Sequence, residues 1–380
     1  MRAALDVFGK NPFQAILVAP KGSHMGKLDP RVQTFKAGHP IPDRSGLEAA
    51  ETITNAAHKM QGNELLVCMI SGGASAMLPS PPQGVRLQDE VKLTRLLLSK
   101  RVMIHEINTI RRHLSTLKGG RLATLCPAST ILSLIISDVP GNFLPDIASG
   151  MTVEDPTTYS DAVETLKRNA LWGRIPERVR NHFIRGLRGE VPESPKPGTP
   201  QFRRVHNFII GDNMTACQRA KVFLKKKGVE TRILTSSAEM EARQMGKLLA
   251  SLAVGSKEYE KPFTKSMAMI IGGETTVELK GSGKGGRNQE TVLSATREIV
   301  GLNGVVVAAL GTDGVDGNSP AAGAIADGRT ALRAGKKRFD PAKFLARNDS
   351  YRFFNGLNDA ILTAPTGTNV GDIYVMMSQA

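Results

Sequence analysis

The chain of 380 residues is 41% hydrophobic and 22% charged, enough apolar material for two domain cores, which excludes a disordered tail protein. Fifty lysines and arginines against 35 acidic residues leave a net charge of +15, a field that favours anionic partners, while 5% aromatic content is thin for the stacking platforms of a single-strand nucleic-acid binder. No apolar run reaches the roughly 18–20 residues of a bilayer span, MRAALDVFGKNPFQAILVAP makes a poor signal peptide, and the scattered Cys68, Cys126 and Cys217 suit free thiols in a reducing cytoplasm rather than a disulfide scaffold.

In chain order, short apolar runs end in glycine or aspartate: ELLVCMISGG (Glu64–Gly73), STILSLIISDVPG (Ser129–Gly141), HNFIIGDN (His206–Asn213), AMIIGGE (Ala268–Glu274) and GVVVAALGTDG (Gly304–Gly314). Such runs read as strands buried on both faces. Helical patterns fall between them: LQDEVKLTRLLLSK, NMTACQRAKVFLKKKG, SAEMEARQMGKLLASLA and NQETVLSATREIVG. The alternation predicts an α/β protein with largely parallel sheets, whose ligands collect at the carboxyl ends of strands. The arginine-rich Lys167–Glu190 spreads its cations around the helical repeat and reads as a solvated face rather than a nucleic-acid site. GEVPESPKPGTPQ (Gly189–Gln201) is rich in Pro and Gly and reads as a linker. Domains over residues 1–190 and 205–380, joined by residues 191–204, are therefore expected.

The polar residues closing the apolar runs are the candidate chemistry. Ser71-Gly-Gly-Ala-Ser75 follows Leu65–Ile70. Its glycines let backbone amides face an anion and its serines add hydroxyl donors, unless it is a plain glycine turn. In NTIRRHLSTLKGGRLATL (Asn108–Leu125), Lys118 beside Gly119 and Gly120 either sets a point charge against a phosphate or belongs to an ordinary helix C-cap. Asp138, ending Ile131–Ser137, suits a hydroxyl, Mg²⁺ or a capped turn. GTDGVDG (Gly311–Gly317) offers Asp313 and Asp316 in a glycine-rich loop, a pattern that suits Mg²⁺ beside phosphate oxygens. GSGKGGRNQE (Gly281–Glu290) contains G-x-G-x-x-G at Gly281, Gly283 and Gly286, the pattern of a dinucleotide loop. Against that reading, the preceding TTVELK alternates polar and apolar, and Lys284 and Arg287 suit the phosphates of a transferase equally well. PTGTNVGD (Pro365–Asp372) carries Thr366, Thr368 and Asn369, donors to a small polar ligand or to their own turn. His39, boxed by prolines in AGHPIPD, reads as structural.

Together these segments resemble the glycerate 2-kinase family, also called class II glycerate kinases or the MOFRL family. The resemblance is carried by AGHPIPD (Ala37–Asp43), SGGASAM (Ser71–Met77), NTIRRHLSTLKGGRLA (Asn108–Ala123), SDVPGNFLPDIASG (Ser137–Gly150), IIGDN (Ile209–Asn213), GGETTVELKGSGKGGRNQE (Gly272–Glu290), GTDGVDGNSPAAGAI (Gly311–Ile325) and PTGTNVGD (Pro365–Asp372). They stand in the family's order and span nearly the whole chain. The resemblance implies two α/β domains with largely parallel or mixed sheets, a Rossmann-like larger domain, a MOFRL domain over residues 262–375, and an active site in the interdomain cleft. It implies ATP-dependent phosphorylation of D-glycerate to 2-phosphoglycerate with Mg²⁺ in the cytoplasm. No membrane or nucleic-acid partner is expected, and a homodimer is compatible with the reading.

By position, Arg287 resembles the family's proposed catalytic arginine, with Lys118 and Asp138 beside it in the catalytic set. Ser71, Gly72, Gly73, Ser75, Glu274, Gly283, Lys284, Gly285, Gly286 and Asn369 would line the nucleotide site, and Asp313 and Asp316 would hold the metal. The sequence departs from the family in lacking a Gly-Lys-Ala segment before Ala15–Ala19. FGKN (Phe8–Asn11) has no small-residue helix after it, so that segment's lysine role is not transferred to Lys10. The start is misassigned, the chain is shortened, or another lysine substitutes. Asn142 stands where the family often has Asp, and Met151 where it often has Pro. Two other functions are weighed: an NAD(P)H-dependent hydroxypyruvate reductase, a label family members often carry, and a homologue that binds ligand without turnover.

Overall fold

The computed structural model describes residues 2–9, 11, 13–23, 26–100, 102–258 and 266–379. Lys10 lies outside them. The chain forms two compact units, Met1–Ile135 with Phe143–Ile210, and Ile136–Asn142 with Gly211–Ala380.

The first unit has two small sheets. Strands β1 (Ala15–Pro20) and β2 (Val32–Ala37) pair in parallel. Strands β3 (Leu65–Ile70), β4 (Thr130–Ile136) and β5 (Val205–Gly211) stand in that order, with β3 and β4 parallel and Leu65 opposite Thr130. Much of the core is helical. Helices Leu87–Ser99, Ile104–His113, Tyr159–Arg168 and Glu177–Leu187 bury Leu93, Leu97, Ile107, Ile110, Val163, Leu166, Val179 and Phe183 in one cluster. Spacings of three and four residues give each helix its apolar stripe. In Glu177–Leu187 the buried face is Val179, His182, Phe183 and Gly186, so the arginines of this segment are left to the other faces.

Residues 191–204, expected to link domains, are pinned to the first unit instead. Ser194 Oγ donates to Asp155 Oδ2 (2.7 Å), Asp155 N to Pro195 O (2.8 Å) and Thr199 N to Glu154 Oε1 (2.9 Å). Proline and glycine remove periodicity from a segment, but they do not stop its remaining polar groups from bonding. Glu193 in the same stretch meets His113 Nε2 (3.1 Å), Tyr159 N (2.8 Å) and Lys196 Nζ (3.0 Å). Burial pushes its carboxyl up, but these partners outweigh that and bring it from 4.5 to about 2. A carboxyl depressed in the fold binds its proton sooner when unfolded. Its stabilisation is therefore complete above pH 4.5 and lost as pH falls towards about 2. Glu193→Gln should flatten the fall of Tm across that interval, and an unchanged slope would count against this account.

The second unit is built on one sheet of β6 (Glu230–Glu241), β7 (Met267–Thr276), β8 (Val305–Gly311), β9 (Gly323–Asp327), β10 (Ala360–Ile361) and β11 (Asp372–Ser378), in the order β10-β9-β8-β11-β7-β6. Only β6 and β7 pair in parallel; the other pairings are antiparallel. The sheet is thus mixed, where alternation of strands and helices had suggested largely parallel pairing. β7 and β8 do run in the same direction, joined by helix Arg287–Glu298, but the last strand of the chain inserts between them. Burial explains why the runs were legible and their pairing was not. Met269, Ile271, Tyr374 and Met376 face one cluster with Met245, Leu249, Val292 and Leu293, while Ile270 and Ile373 face another with Cys217. Both faces are covered, so the strands are continuously apolar whatever their direction. Among the described residues no helix is long and apolar enough to cross a membrane.

Candidate active site

The carboxyl ends of β7 and β8 flank the amino end of β11. Asp372 sits opposite Gly273 on one side and Gly311 on the other. The close approach explains the glycines: a Cβ on Gly272 would stand 1.6 Å from Asn213 Oδ1. Asn213 opens helix Asn213–Lys226 and donates to Val370 O (3.0 Å) and Asp372 O (2.9 Å), tying down the entry to β11. Asp212 caps that helix through Thr215 N and accepts from Asn142 Nδ2 (2.6 Å). An aspartate at position 142 would set two carboxylates face to face here; asparagine supplies a donor.

Arg287 is the first residue of its helix and reaches back to these strand ends. Its Nε and Nη2 donate to Asp372 Oδ2 (2.6 Å) and Oδ1 (3.1 Å), and its Nη1 donates to Glu274 Oε1. Burial disfavours its charge, but Asp372 and Glu274 more than offset this and raise its pKa. Burial also pushes the Glu274 carboxyl up; Arg287 opposes that, and the charges of Asp372 and Asp138 reinforce it. Asp138 is half-buried, and Asn369 Nδ2 lies 3.5 Å from its Oδ2. One guanidinium is thus clamped by two carboxylates, with the charge of a third, Asp138, felt at Glu274.

The two aspartates expected at the metal have separate fates. Asp316 is 1% exposed. It accepts from the backbone and side-chain amides of both Asn288 and Gln289, at 2.8–3.3 Å. Four donors fill the acceptor sites of a carboxylate, so Asp316 caps the Arg287 helix and has no lone pair to spare for a cation. Asp313 is half-buried and accepts from Val315 N (3.0 Å). Among the described residues no group of three or more His, Cys, Asp and Glu could hold a metal. Of the two aspartates, Asp313 alone is not saturated by four donors, and Mg²⁺ asks for only one or two carboxylates beside phosphate oxygens and water.

The glycine loop before Arg287 is not an open cradle of amides. Lys280 N and Gly281 N donate to Asn348 Oδ1 (2.7 and 2.9 Å), Gly283 N to Arg347 O (3.0 Å), Lys284 N to Asp349 Oδ1 (2.8 Å) and Gly285 N to Asn318 Oδ1 (2.8 Å). A Cβ on Gly283 would lie 2.5 Å from Asp349 Cβ, and one on Gly286 2.3 Å from Asp316 Oδ1. These glycines serve packing against the chain's own backbone. A dinucleotide loop needs its amides turned to a pyrophosphate, so G-x-G-x-x-G carries no weight for a reductase here. Of the loop residues expected to line the nucleotide, Lys284 is exposed, while Gly283, Gly285 and Gly286 bear on Asp349, Ser350 and Asp316.

The first unit holds the remaining candidates. After β3, Ser71 is exposed, and Gly72, Gly73 and Ser75 are half-buried. Gly73 takes φ +84°, and a Cβ there would meet the His39 ring at 3.1 Å. Ser75 Oγ lies 2.7 Å from Ser149 Oγ, which donates to Asn108 Oδ1 (2.9 Å). Lys118 is wholly buried, and its Nζ donates to Leu78 O (2.7 Å), just past the short helix Ala74–Met77. Burial pulls its pKa down to about 8 against the pull of Glu90. Lys118 therefore props up the Ser71–Met77 turn from beneath. Arg112, 2% exposed, donates through Nη1 to Asp146 Oδ1 and Pro145 O, with Nε 2.9 Å from Asp155 Oδ1.

Asp372, Asn213, Glu90 and Tyr374 were not singled out from the sequence. Asp372 had a legible signal: a carboxylate directly after Gly371, opening an apolar strand.

This fold and site define a mixed α/β protein with a clamped arginine and acidic groups at its strand ends. A model described as a domain of unknown function (DUF4147) matches residues 1–184, and one described as the MOFRL family matches residues 267–372. A glycerate 2-kinase of Pyrococcus horikoshii is 41% identical over 351 residues, covering 92% of this chain and 79% of that protein. An Agrobacterium vitis protein named as a putative hydroxypyruvate reductase is 36% identical, covering 91% and 77%. The crystal structure of glycerate kinase from Thermotoga maritima matches with a TM-score of 0.88 at 36% identity, covering 99% of this chain and 88% of that one. The chain belongs to the glycerate 2-kinase, or MOFRL, family.

Proposed function

We infer that the chain is a glycerate 2-kinase, a phosphotransferase that moves the γ-phosphoryl group of ATP to the 2-hydroxyl of D-glycerate. The observation that carries the reading at residue level is Arg287, fixed at the strand ends by Asp372 with its Nη1 edge turned to the half-exposed Glu274. Phosphoryl transfer asks for positioning and charge neutralisation more than for covalent chemistry from the protein. The Nη1 edge would meet the transferred phosphoryl in place of Glu274. Asp138 would accept a hydrogen bond from the attacking hydroxyl and orient it. Within the first unit, the Ser71–Ser75 turn has hydroxyl and amide donors of the kind that hold phosphate oxygens. Asp313, with Asp138, would hold Mg²⁺, which when bound neutralises charge on the phosphate oxygens. The free thiols of Cys68, Cys126 and Cys217 suit the reducing cytoplasm in which ATP is drawn.

The test is coupled ADP release from ATP and D-glycerate, with ³¹P NMR to assign the phosphorylated oxygen and chelation to show the metal requirement. The expected result is 2-phosphoglycerate formed with stoichiometric ADP. Hydroxypyruvate-dependent NADH oxidation without ADP release would overturn it in favour of a reductase. Calorimetric binding of glycerate or ATP with no ADP would mark a binding protein.

A further inference from the structure

Two carboxylates hold Arg287, and they are not equivalent. Asp372 is fully buried, whereas the Glu274 side chain is 40% exposed. Each oxygen of Asp372 has two partners. Oδ1 accepts from Arg287 Nη2 (3.1 Å) and Asn288 Nδ2 (3.0 Å); Oδ2 accepts from Arg287 Nε (2.6 Å) and lies 3.0 Å from the Tyr374 hydroxyl. Thr275 Oγ1 is as close to that hydroxyl, but the carboxylate is acceptor-only and takes its single proton. A carboxylate with four donors has no lone pair left for substrate, metal or a transferred proton. Its backbone is held as well, because Asn213 fastens Asp372 O and β11 is paired on both sides. Glu274, by contrast, is a single contact on the opposite edge of the guanidinium, and solvent already reaches it.

We propose that Asp372 is a positioning residue for phosphoryl transfer: its saturated carboxylate fixes the Nε and Nη2 edge of Arg287, so that displacing Glu274 presents the Nη1 edge to an incoming phosphate without moving the guanidinium. This rests on the reading that Arg287 meets the transferred phosphoryl. A planar fork bound on one edge keeps its orientation when the other edge changes partner, which a lysine ammonium cannot do. Misplacing a group of this kind by about 1 Å costs on the order of 100-fold in rate.

The experiment is a double-mutant cycle on the full chain with kcat and KM measured separately. Asp372→Asn keeps the shape but sets an amide against Arg287 on one side. It should lower kcat about 100-fold with the KM values for ATP and glycerate little changed. In an Arg287→Ala background the same change should cost nothing further, since the group it positions is gone. Tyr374→Phe removes one of the four donors and should lower kcat about fivefold, again only when Arg287 is present. If Asp372→Asn does not fold, Tyr374→Phe decides by the same cycle. Losses of equal factor in both backgrounds would make Asp372 merely structural and overturn the proposal. So would folded variants with unchanged kcat. If Arg287→Ala alone keeps the wild-type rate, the reading of Arg287 itself fails, an outcome distinct from an impaired Arg287→Ala beside an unaffected Asp372→Asn.

Discussion

Arg287→Ala should lower kcat for ADP formation roughly 10³-fold, the scale of an arginine that neutralises charge on a transferring phosphoryl group. The size follows from placement. The guanidinium opens helix Arg287–Glu298 at the carboxyl ends of β7 and β8, and Asp372 and Glu274 hold it in a partly buried setting. A preorganised cation there costs little reorganisation at the moment of transfer. Arg287→Lys should recover little, because an ammonium cannot bridge both oxygens of Asp372 and still reach outward. The alanine variant leaves Asp372 two of its four donors, those of Asn288 and Tyr374, so some loss of Tm is expected too. Single-turnover transfer on protein shown to be folded separates the two effects. An unchanged rate would remove Arg287 from the mechanism.

The largest expected loss of stability is at Arg112→Met. Arg112 is 2% exposed, and both its ion-pair partners are buried with it: the Asp146 side chain is 7% exposed and the Asp155 side chain 0%. Burial pushes the Asp155 carboxyl up, but Arg112 and His113 outweigh it, with bonds from Thr157 and Ser194. Removing one member of a buried ion pair strands the other's charge and costs about 3–5 kcal/mol. Methionine fills the volume and isolates the electrostatic part. The expected result is a clear fall in the urea midpoint, or failure to accumulate folded protein. A midpoint equal to wild type would show that the two aspartates are satisfied without the arginine.

Much of this molecule is readable along the chain. Leu65–Ile70, Ile131–Ser137, Ala268–Glu274 and Val305–Leu310 are recognisable as strands by their continuous apolarity, which burial on both faces demands of Ala268–Glu274, whereas Leu65 and Met69 are exposed. Arg287 is recognisable because it follows a glycine loop and starts a helical pattern. The roles of several neighbours were not. Asp313 and Asp316 look alike in GTDGVDG, yet one is half-buried at the strand end and the other is sealed beneath a helix start 28 residues earlier. Lys118 looks like a free cation beside two glycines and is instead wholly buried under the Ser71–Met77 turn. The G-x-G-x-x-G loop has the spacing of a dinucleotide site, but its amides are taken up by residues 318 and 347–349.

By itself the chain's sequence determined much of the strand and helix content and the family, since these depend on local periodicity and on motifs a few residues long. Only the tertiary structure decided which carboxylate anchors and which can yield. Asp372 lies 85 residues beyond Arg287, and a carboxylate's role depends on how many donors reach it and how much water remains, quantities that exist only once β11 has inserted between β7 and β8.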